Sequence, residues 1–133
     1  MRLLVGLGNP GPEHERQRHN NGFMAVGAIH RLHGLGPWRA RLDGWVATGT
    51  IGGVLVVLLK PLTYMNDSGR AAQQALRFYK LDAEAMIVFH DELDLPAGRI
   101  RVKAGGGHGG HNGLRSIDQH VGPHYWRVRL GIG

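Results

Sequence analysis

Apolar residues come in short runs along this chain, and these runs predict β-strands because each has strand length and ends at turn or charged residues. The runs at 44–50 ("GWVATGT") and 53–59 ("GVLVVLL") are joined around "IGG" and predict a hairpin. Residues 98–103 ("GRIRVK") alternate between charged and apolar positions, so that strand should be half exposed. The remaining predicted strands are 2–7, 85–90 and 126–132.

Between these runs, apolar residues recur at the spacing of amphipathic helices. Residues 22–32 carry the clearest apolar stripe. A second helix is predicted through 69–80, with Asp67 or Ser68 as its N-cap, and a third over 113–121. Helices that alternate with strands indicate the α/β class, and the hairpin adds antiparallel pairs. We therefore expect a mixed twisted β-sheet flanked by helices, in a single domain over residues 1–133.

The composition changes this picture by pointing to a partner. The net charge is +6 and the pI about 10.5, which favours a polyanionic partner such as a nucleic acid. The sequence has no cysteine, which excludes disulfides, a thiolate nucleophile and cysteine-based zinc sites and is compatible with a cytoplasmic location. The longest apolar run, "VLVVLL", is too short to span a bilayer, and the N-terminus has too few apolar residues for a signal peptide.

Two strands carry alternating cations. Arg99, Arg101 and Lys103 follow each other at every second position, and Arg127 and Arg129 repeat the pattern on the last strand. Alternate residues of a strand share one face, so each strand would present a row of positive charge. Such rows are often solvated surface, but in a basic chain they also fit a track for phosphates.

Several familiar kinds of site are poorly supported. Gly6, Gly8 and Gly11 match a dinucleotide-binding pattern, but prolines flank the third glycine and no acid follows at the ribose-binding distance, so we interpret them as a turn that orients Asn9. Neither serine lies in a nucleophile motif. His108 and His111 lack a second pair of metal ligands, so we expect no metal.

Histidine acting on water is the better supported chemistry. His19 lies in a polar loop after the first strand, and a neutral imidazole can take a proton from water if a carboxylate orients its other nitrogen. Asp91 ends a buried strand, Asn9 ends the first strand and Asn66 follows another, so all three should share one rim of the sheet. The alternatives are turn formation for Asp91 and helix capping for Asn66.

The stretch 103–113, "KAGGGHGGHNG", has an unusual density of glycine. Ordering glycine costs more conformational entropy than ordering any other residue, so a flexible linker is one interpretation. The histidines and Asn112 that interrupt the glycines can contact a ligand, and this favours a binding loop.

These motifs resemble a known family. "GLGNPG", "RHNNG", "KPLTYMNDSG", "HDELDLPAGRIRVK" and "GGGHGGHNGLRSI", in this order, are similar to those of bacterial peptidyl-tRNA hydrolases. The resemblance implies a monomeric, cytoplasmic enzyme that cleaves the ester between a stalled peptide and its tRNA without a metal or cofactor. Family members normally continue well past "RLGIG", so we expect the C-terminal part of the family fold to be absent from this chain.

The resemblance also implies roles for individual residues. His19 would be the general base, Asp91 would hold its imidazole, and Asn9 would recognise the blocked aminoacyl end. Asn66 and Asn112 would bind substrate near the ester, and the glycines would let the backbone lie against it. Further contacts would come from Tyr64 and from His14, which stands where the family usually has tyrosine. Arg101, Lys103 and Arg129 would meet tRNA phosphates.

Two other functions are compatible with parts of the sequence. A catalytically weak or inactive tRNA-binding module on the same fold would explain the basic strands, although binding alone has no need of His19 and Asp91. A nicotinamide-dependent oxidoreductase follows only from the glycine pattern at the first strand.

Overall fold

A computed structural model describes residues 1–9 and 20–133. The described residues form a seven-stranded sheet in the order β2-β3-β4-β1-β5-β7-β6. β4, β1, β5 and β7 run parallel, whereas β2, β3 and β6 pair antiparallel to their neighbours. The predicted mixed α/β sheet is therefore confirmed. The strands are β1 (Arg2–Gly6), β2 (Arg39–Arg41), β3 (Gly44–Ile51), β4 (Val54–Pro61), β5 (Met86–Glu92), β6 (Ile100–Ala104) and β7 (Trp126–Gly131).

Helices cover both faces of the sheet, as the apolar stripes predicted. Within the described residues they are α1 (Asn21–Leu32), α2 (Ser68–Tyr79) and α3 (Asn112–Val121). α1 packs its Val26 and Ile29 against one face of the sheet. α2 and α3 contribute Ala72, Leu76 and Ile117 to a larger core on the other face. None of the helices in the described ranges has the length and apolar character needed to cross a membrane.

The predicted cap of α2 is confirmed in position only, and one strand was missed. Asp67 occupies the N-cap position of α2 but its side chain makes no capping bond, because it pairs instead with Arg70 at 2.8 Å. Ser68 does not cap the helix either, since its hydroxyl donates to the carbonyl of Met65. β2 was not predicted, because its residues are exposed and carry no apolar alternation. It forms only by pairing with β3.

β6 was predicted to be half exposed, but all its residues are exposed. It is one of the two edge strands of the sheet in the described residues and pairs only with β7. Ile100 and Val102 consequently remain 62% and 64% exposed. The alternation along β6 thus separates a charged face from an apolar one, and neither face is buried in the described structure.

A close backbone contact positions the start of α1. Gly22, in its first turn, lies so near β1 and β5 that a Cβ there would sit 2.5 Å from the carbonyl oxygen of Phe89 and closer still to that of Leu7. Only glycine allows two backbones to approach in this way. The contact places the first turn of α1 beside the carboxyl ends of two central parallel strands.

Candidate active site

The carboxyl ends of β4, β1 and β5 lie side by side, because the three strands are parallel neighbours. We call the border that these strand ends form the carboxyl edge of the sheet. Asn9 follows β1, Asn66 lies in a 3₁₀ turn (Met65–Asp67) just after β4, and Asp91 is the penultimate residue of β5. Ligands of open α/β sheets bind outside such strand ends. The three polar residues that the sequence assigned to one rim therefore lie along one edge.

The start of α1 ties the ends of β1 and β5 together. The backbone N–H of Asn9 donates to Oδ1 of Asn20 at 2.8 Å. The backbone N–H of Asn21 donates to Oδ1 of Asp91 at 3.2 Å. Asn20 and Asn21 thus link the two strand ends through hydrogen bonds as well as through packing.

Asp91 is the most unusual group of this edge. Its residue is 9% exposed, and its Oδ2 is buried with no hydrogen-bond partner in the part of the chain that the structure describes. Burial raises the pKa of the carboxyl from 3.8 to about 7, against the opposing effect of the hydrogen bond from Asn21. The oxygen without a partner can accept a further hydrogen bond, and a cation beside it would restore the charged form.

This raised pKa makes a prediction about stability. The folded chain binds the Asp91 proton more tightly than the unfolded chain does, so the carboxyl's contribution to the free energy of unfolding is lost as pH rises from about 4 through about 7. Relative to Asp91→Asn, the wild type should lose up to about 1.4 kcal/mol per pH unit in this window. Denaturant unfolding of both proteins between pH 4.5 and 8 measures the difference. If the free energy of unfolding changes with pH in the same way in both proteins, burial does not raise the pKa of Asp91.

Asn66 and Asn112 are brought towards the same edge by a contact around Gly113. A Cβ at Gly113 would lie 2.8 Å from Cδ1 of Leu7 and 2.8 Å from Sδ of Met65. The residues next to Asn66 and Asn112 thus pack against each other and against the segment after β1. Both asparagines are exposed, and so is Tyr64, two residues before Asn66, at 82%.

Two histidines lie next to residues of this region: His111, which the sequence placed in the candidate binding loop, and His90, to which the sequence assigned no role. His111 occupies the N-cap of α3, where its Nδ1 accepts hydrogen bonds from the backbone N–H groups of Gly113 and Leu114. The His90 ring lies edge-on to it, with ring centroids 5.0 Å apart. Nδ1 of His90 lies 2.9 Å from the carbonyl oxygen of Asp91, so this nitrogen carries the hydrogen.

Burial keeps both rings neutral. It lowers the pKa of His90 from its usual value and the pKa of His111 to about 4. A neutral His111 can accept the two N–H groups, whereas an imidazolium could not. The sequence did not indicate this cap, because the helix was predicted to begin at residue 113, one residue later than it does, and Ser, Thr, Asp and Asn are the usual N-cap residues.

Most glycines of the loop between β6 and α3 are explained by their own backbone conformation. Gly105, Gly106, Gly109 and Gly110 all have positive φ, between 58° and 103°, a region that other residues rarely adopt. Gly107 differs, since its φ is not in this region and a Cβ there would meet nothing within 4 Å. Gly107 is thus the one of these five glycines that neither its backbone conformation nor a close neighbour in the described structure requires.

The cationic strands differ from the expected pair of exposed rows. Arg101 and Lys103 are exposed on β6, and Arg99 precedes that strand. Arg129 is partly exposed, and its Nε donates to Oε1 of Glu92 at 2.9 Å. The expectation was wrong for Arg127, which is only 2% exposed because β7 lies inside the sheet and the glycine loop accepts its hydrogen bonds.

The remaining residues considered from the sequence are His14 and His19, the serine at position 116 and the candidate metal ligands. His14 and His19 lie outside the described residues. Ser116 is not available as a nucleophile, because its buried hydroxyl accepts the backbone N–H of Gly69 and joins α2 to α3. Within residues 1–9 and 20–133, no group of three histidine or acidic side chains could hold a metal ion.

Comparison with known proteins identifies the family. The sequence profile described as peptidyl-tRNA hydrolase matches residues 3–133. Peptidyl-tRNA hydrolases from Rhodospirillum centenum and Rhodopseudomonas palustris are 66% and 61% identical over the entire chain, which spans 59% and 66% of their lengths. The crystal structure of peptidyl-tRNA hydrolase from Acinetobacter baumannii has a TM-score of 0.96 at 47% identity and covers all of this chain, which covers 68% of it. The chain belongs to the peptidyl-tRNA hydrolase family.

Proposed function

We propose that this chain hydrolyses the ester bond between the peptide and the tRNA of peptidyl-tRNA. The observation that carries the proposal is the buried Asp91 carboxyl with an oxygen free to accept a hydrogen bond, at the strand edge where Asn9 and Asn66 also lie. Family membership supports the same reaction. The chain spans less than two thirds of the length of several relatives, so activity of this segment is itself part of the proposal.

In the proposed mechanism His19 is the general base. One ring nitrogen takes a proton from water while Oδ2 of Asp91 accepts a hydrogen bond from the other nitrogen and fixes the ring. The water oxygen bonds to the ester carbonyl carbon and forms a tetrahedral intermediate. The bond from that carbon to the ribose oxygen then breaks, and the imidazolium returns its proton to this oxygen. Peptide acid and tRNA leave, and the base is regenerated.

Amide side chains supply most of the proposed substrate contacts. Asn9 would recognise the blocked amine, and Asn66 and Asn112 would donate to and accept from groups around the ester, since an amide side chain does both. The exposed ring of Tyr64 offers a flat surface at the same edge. We assign His14 a contact to the terminal nucleotide.

The body of the tRNA would bind along β6. Arg101 and Lys103 are exposed on the same face of that strand, and Arg101 is the cross-strand partner of Arg129. Phosphate contacts of this kind position a nucleic acid without reading its sequence. Arg129 would keep its pair with Glu92 or exchange it for a phosphate. We further propose that residues 1–133 act as one domain and as a cytoplasmic monomer that needs no cofactor.

The direct test is release of peptide from peptidyl-tRNA by the purified chain. We expect multiple turnover with N-blocked aminoacyl-tRNA, and much slower release from the same tRNA with a free amine. The expected activity should persist in a metal chelator. Tight, salt-dependent tRNA binding without cleavage would instead identify an inactive tRNA-binding module. If the chain shows no tRNA binding and no cleavage, both the hydrolase and the tRNA-binding module are ruled out.

A further inference from the structure

Arg127 makes an unusual set of contacts for a residue in an alternating strand. Its side chain is 2% exposed. Its NH2 group donates to the carbonyl oxygens of Gly106 at 2.9 Å and Pro123 at 3.2 Å, and its NH1 group donates to that of Gly107 at 3.4 Å. Three backbone acceptors thus converge on one guanidinium, and two of them belong to the glycine loop, residues 105–111.

The charge of this guanidinium is balanced inside the protein. Oδ1 of Asp118, on α3, lies 3.4 Å from NH2 of Arg127 and accepts the hydroxyl hydrogen of Tyr125 at 2.6 Å. The Tyr125 ring lies under the guanidinium, 4.2 Å from its central carbon. A buried charge is costly unless it is paired and hydrogen-bonded. These contacts hold Arg127 in place and leave it turned away from solvent.

The geometry requires arginine in particular. A guanidinium is planar and carries several donors in fixed directions, so it can bind carbonyls from separate chain segments at the same time. A lysine ammonium is a single point on a flexible chain and would reach fewer of these acceptors. Arg127 therefore joins β7, α3 and the glycine loop through one rigid group.

Hydrogen bonds within the glycine loop connect Arg127 to the proposed site. His108 follows the two bound glycines, and its carbonyl oxygen and Nδ1 accept the backbone N–H groups of His111 and Gly110. His111 in turn caps α3, and Asn112 is the first residue of that helix. A continuous series of hydrogen bonds and short chain segments runs from Arg127 to Asn112.

We propose that Arg127 is a positioning residue that fixes the glycine loop through the carbonyls of Gly106 and Gly107 and thereby places Asn112 against the scissile ester. The role of Asn112 rests on the proposed function. The obvious alternative is that Arg127 contacts tRNA phosphate, as its place in the alternating sequence suggests. Its burial and its four internal acceptors favour positioning, whereas Arg101 and Lys103 remain exposed for phosphate.

The test compares Arg127→Met and Arg127→Lys with Arg77→Met, which removes the same charge from an exposed position on α2. Amide hydrogen exchange should become at least about tenfold faster at residues 105–111 in Arg127→Met, with smaller acceleration in Arg127→Lys, and should stay at wild-type rates in β5. kcat should fall about 10- to 100-fold with a smaller change in KM, because misplacing a substrate-orienting group slows the chemical step. Arg77→Met should match the wild type.

The salt dependence of tRNA binding separates the two roles. A positioning residue leaves the slope of log K against log salt unchanged, whereas loss of a phosphate contact lowers it by about one. A lowered slope with wild-type loop exchange would overturn the proposal. If Arg127→Met does not fold, loop exchange in Arg127→Lys decides, because lysine keeps the charge but not the guanidinium geometry, and wild-type exchange at residues 105–111 in that variant would overturn the proposal. Hydrogen exchange and tRNA binding do not depend on turnover. An inactive wild type would therefore refute the proposed function, but whether Arg127 fixes the glycine loop could still be tested.

Discussion

Replacing His19 with alanine should lower kcat for peptidyl-tRNA hydrolysis by about 10²–10⁴-fold, the usual contribution of a positioned general base. Binding of the tRNA should change little, because the role proposed for the imidazole is to act on water and not on phosphates. Single-turnover release of peptide, measured with enzyme in excess, isolates the chemical step. His33→Ala is the matched control, since His33 is an exposed histidine at the end of α1.

The proposed pairing of His19 with Asp91 gives a second expected result. If Asp91 acts by holding the His19 ring, Asp91→Asn should also reduce kcat, and adding it to His19→Ala should cost little more. Residues that act as a unit give such non-additive losses. Independent, multiplicative losses would show that the two residues serve separate steps. Full activity in His19→Ala would mean that another group removes the proton from water.

Gly22→Ala should strongly destabilise the fold. Its new methyl group would lie within 2.5 Å of backbone oxygens in β5 and in the residue directly after β1, and neither segment can move without disturbing the sheet. Overpacking of this kind costs about 1–3 kcal/mol of unfolding free energy and sometimes more. The change would also displace the N–H of Asn21 from Asp91, so activity should fall together with stability.

Gly27→Ala in the same helix provides a control with the opposite sign. A Cβ at Gly27 would first meet the flexible end of Lys60 at 3.4 Å, which is ordinary contact. Alanine favours helix over glycine by up to about 1 kcal/mol, so this variant should be slightly stabilised. Denaturant unfolding of both variants tests the pair. Equal effects on the free energy of unfolding would contradict the account of how α1 meets the sheet.

The sequence predicted the strand ends well because the rule behind them is general. Apolar runs gave β1, β4 and β5, and parallel neighbours bring their carboxyl ends together, so Asn9, Asn66 and Asp91 could be placed on one edge. Arg127 could not be understood in this way. Alternation suggested a solvent-facing charge, but its hydrogen-bond acceptors are backbone carbonyls of a distant loop, and residue types do not reveal backbone acceptors.

The glycine loop shows a similar limit. Its composition indicated a binding loop, which stays a prediction, but two causes of a glycine look identical in a sequence: a left-handed backbone conformation and close contact with another molecule. The structure assigns the first cause to Gly105, Gly106, Gly109 and Gly110. The cap formed by His111 was hidden for a related reason, since it depends on the ring's neutral state inside the folded chain.

The open space at Gly107 offers a practical handle. The sequence contains no cysteine, so Gly107→Cys would introduce a single thiol at a position where a side chain meets no neighbour within 4 Å. A fluorophore attached there would sit on the surface that a docking aminoacyl end is expected to cover. Its emission could report arrival and departure of the acceptor stem in real time, independently of bond cleavage.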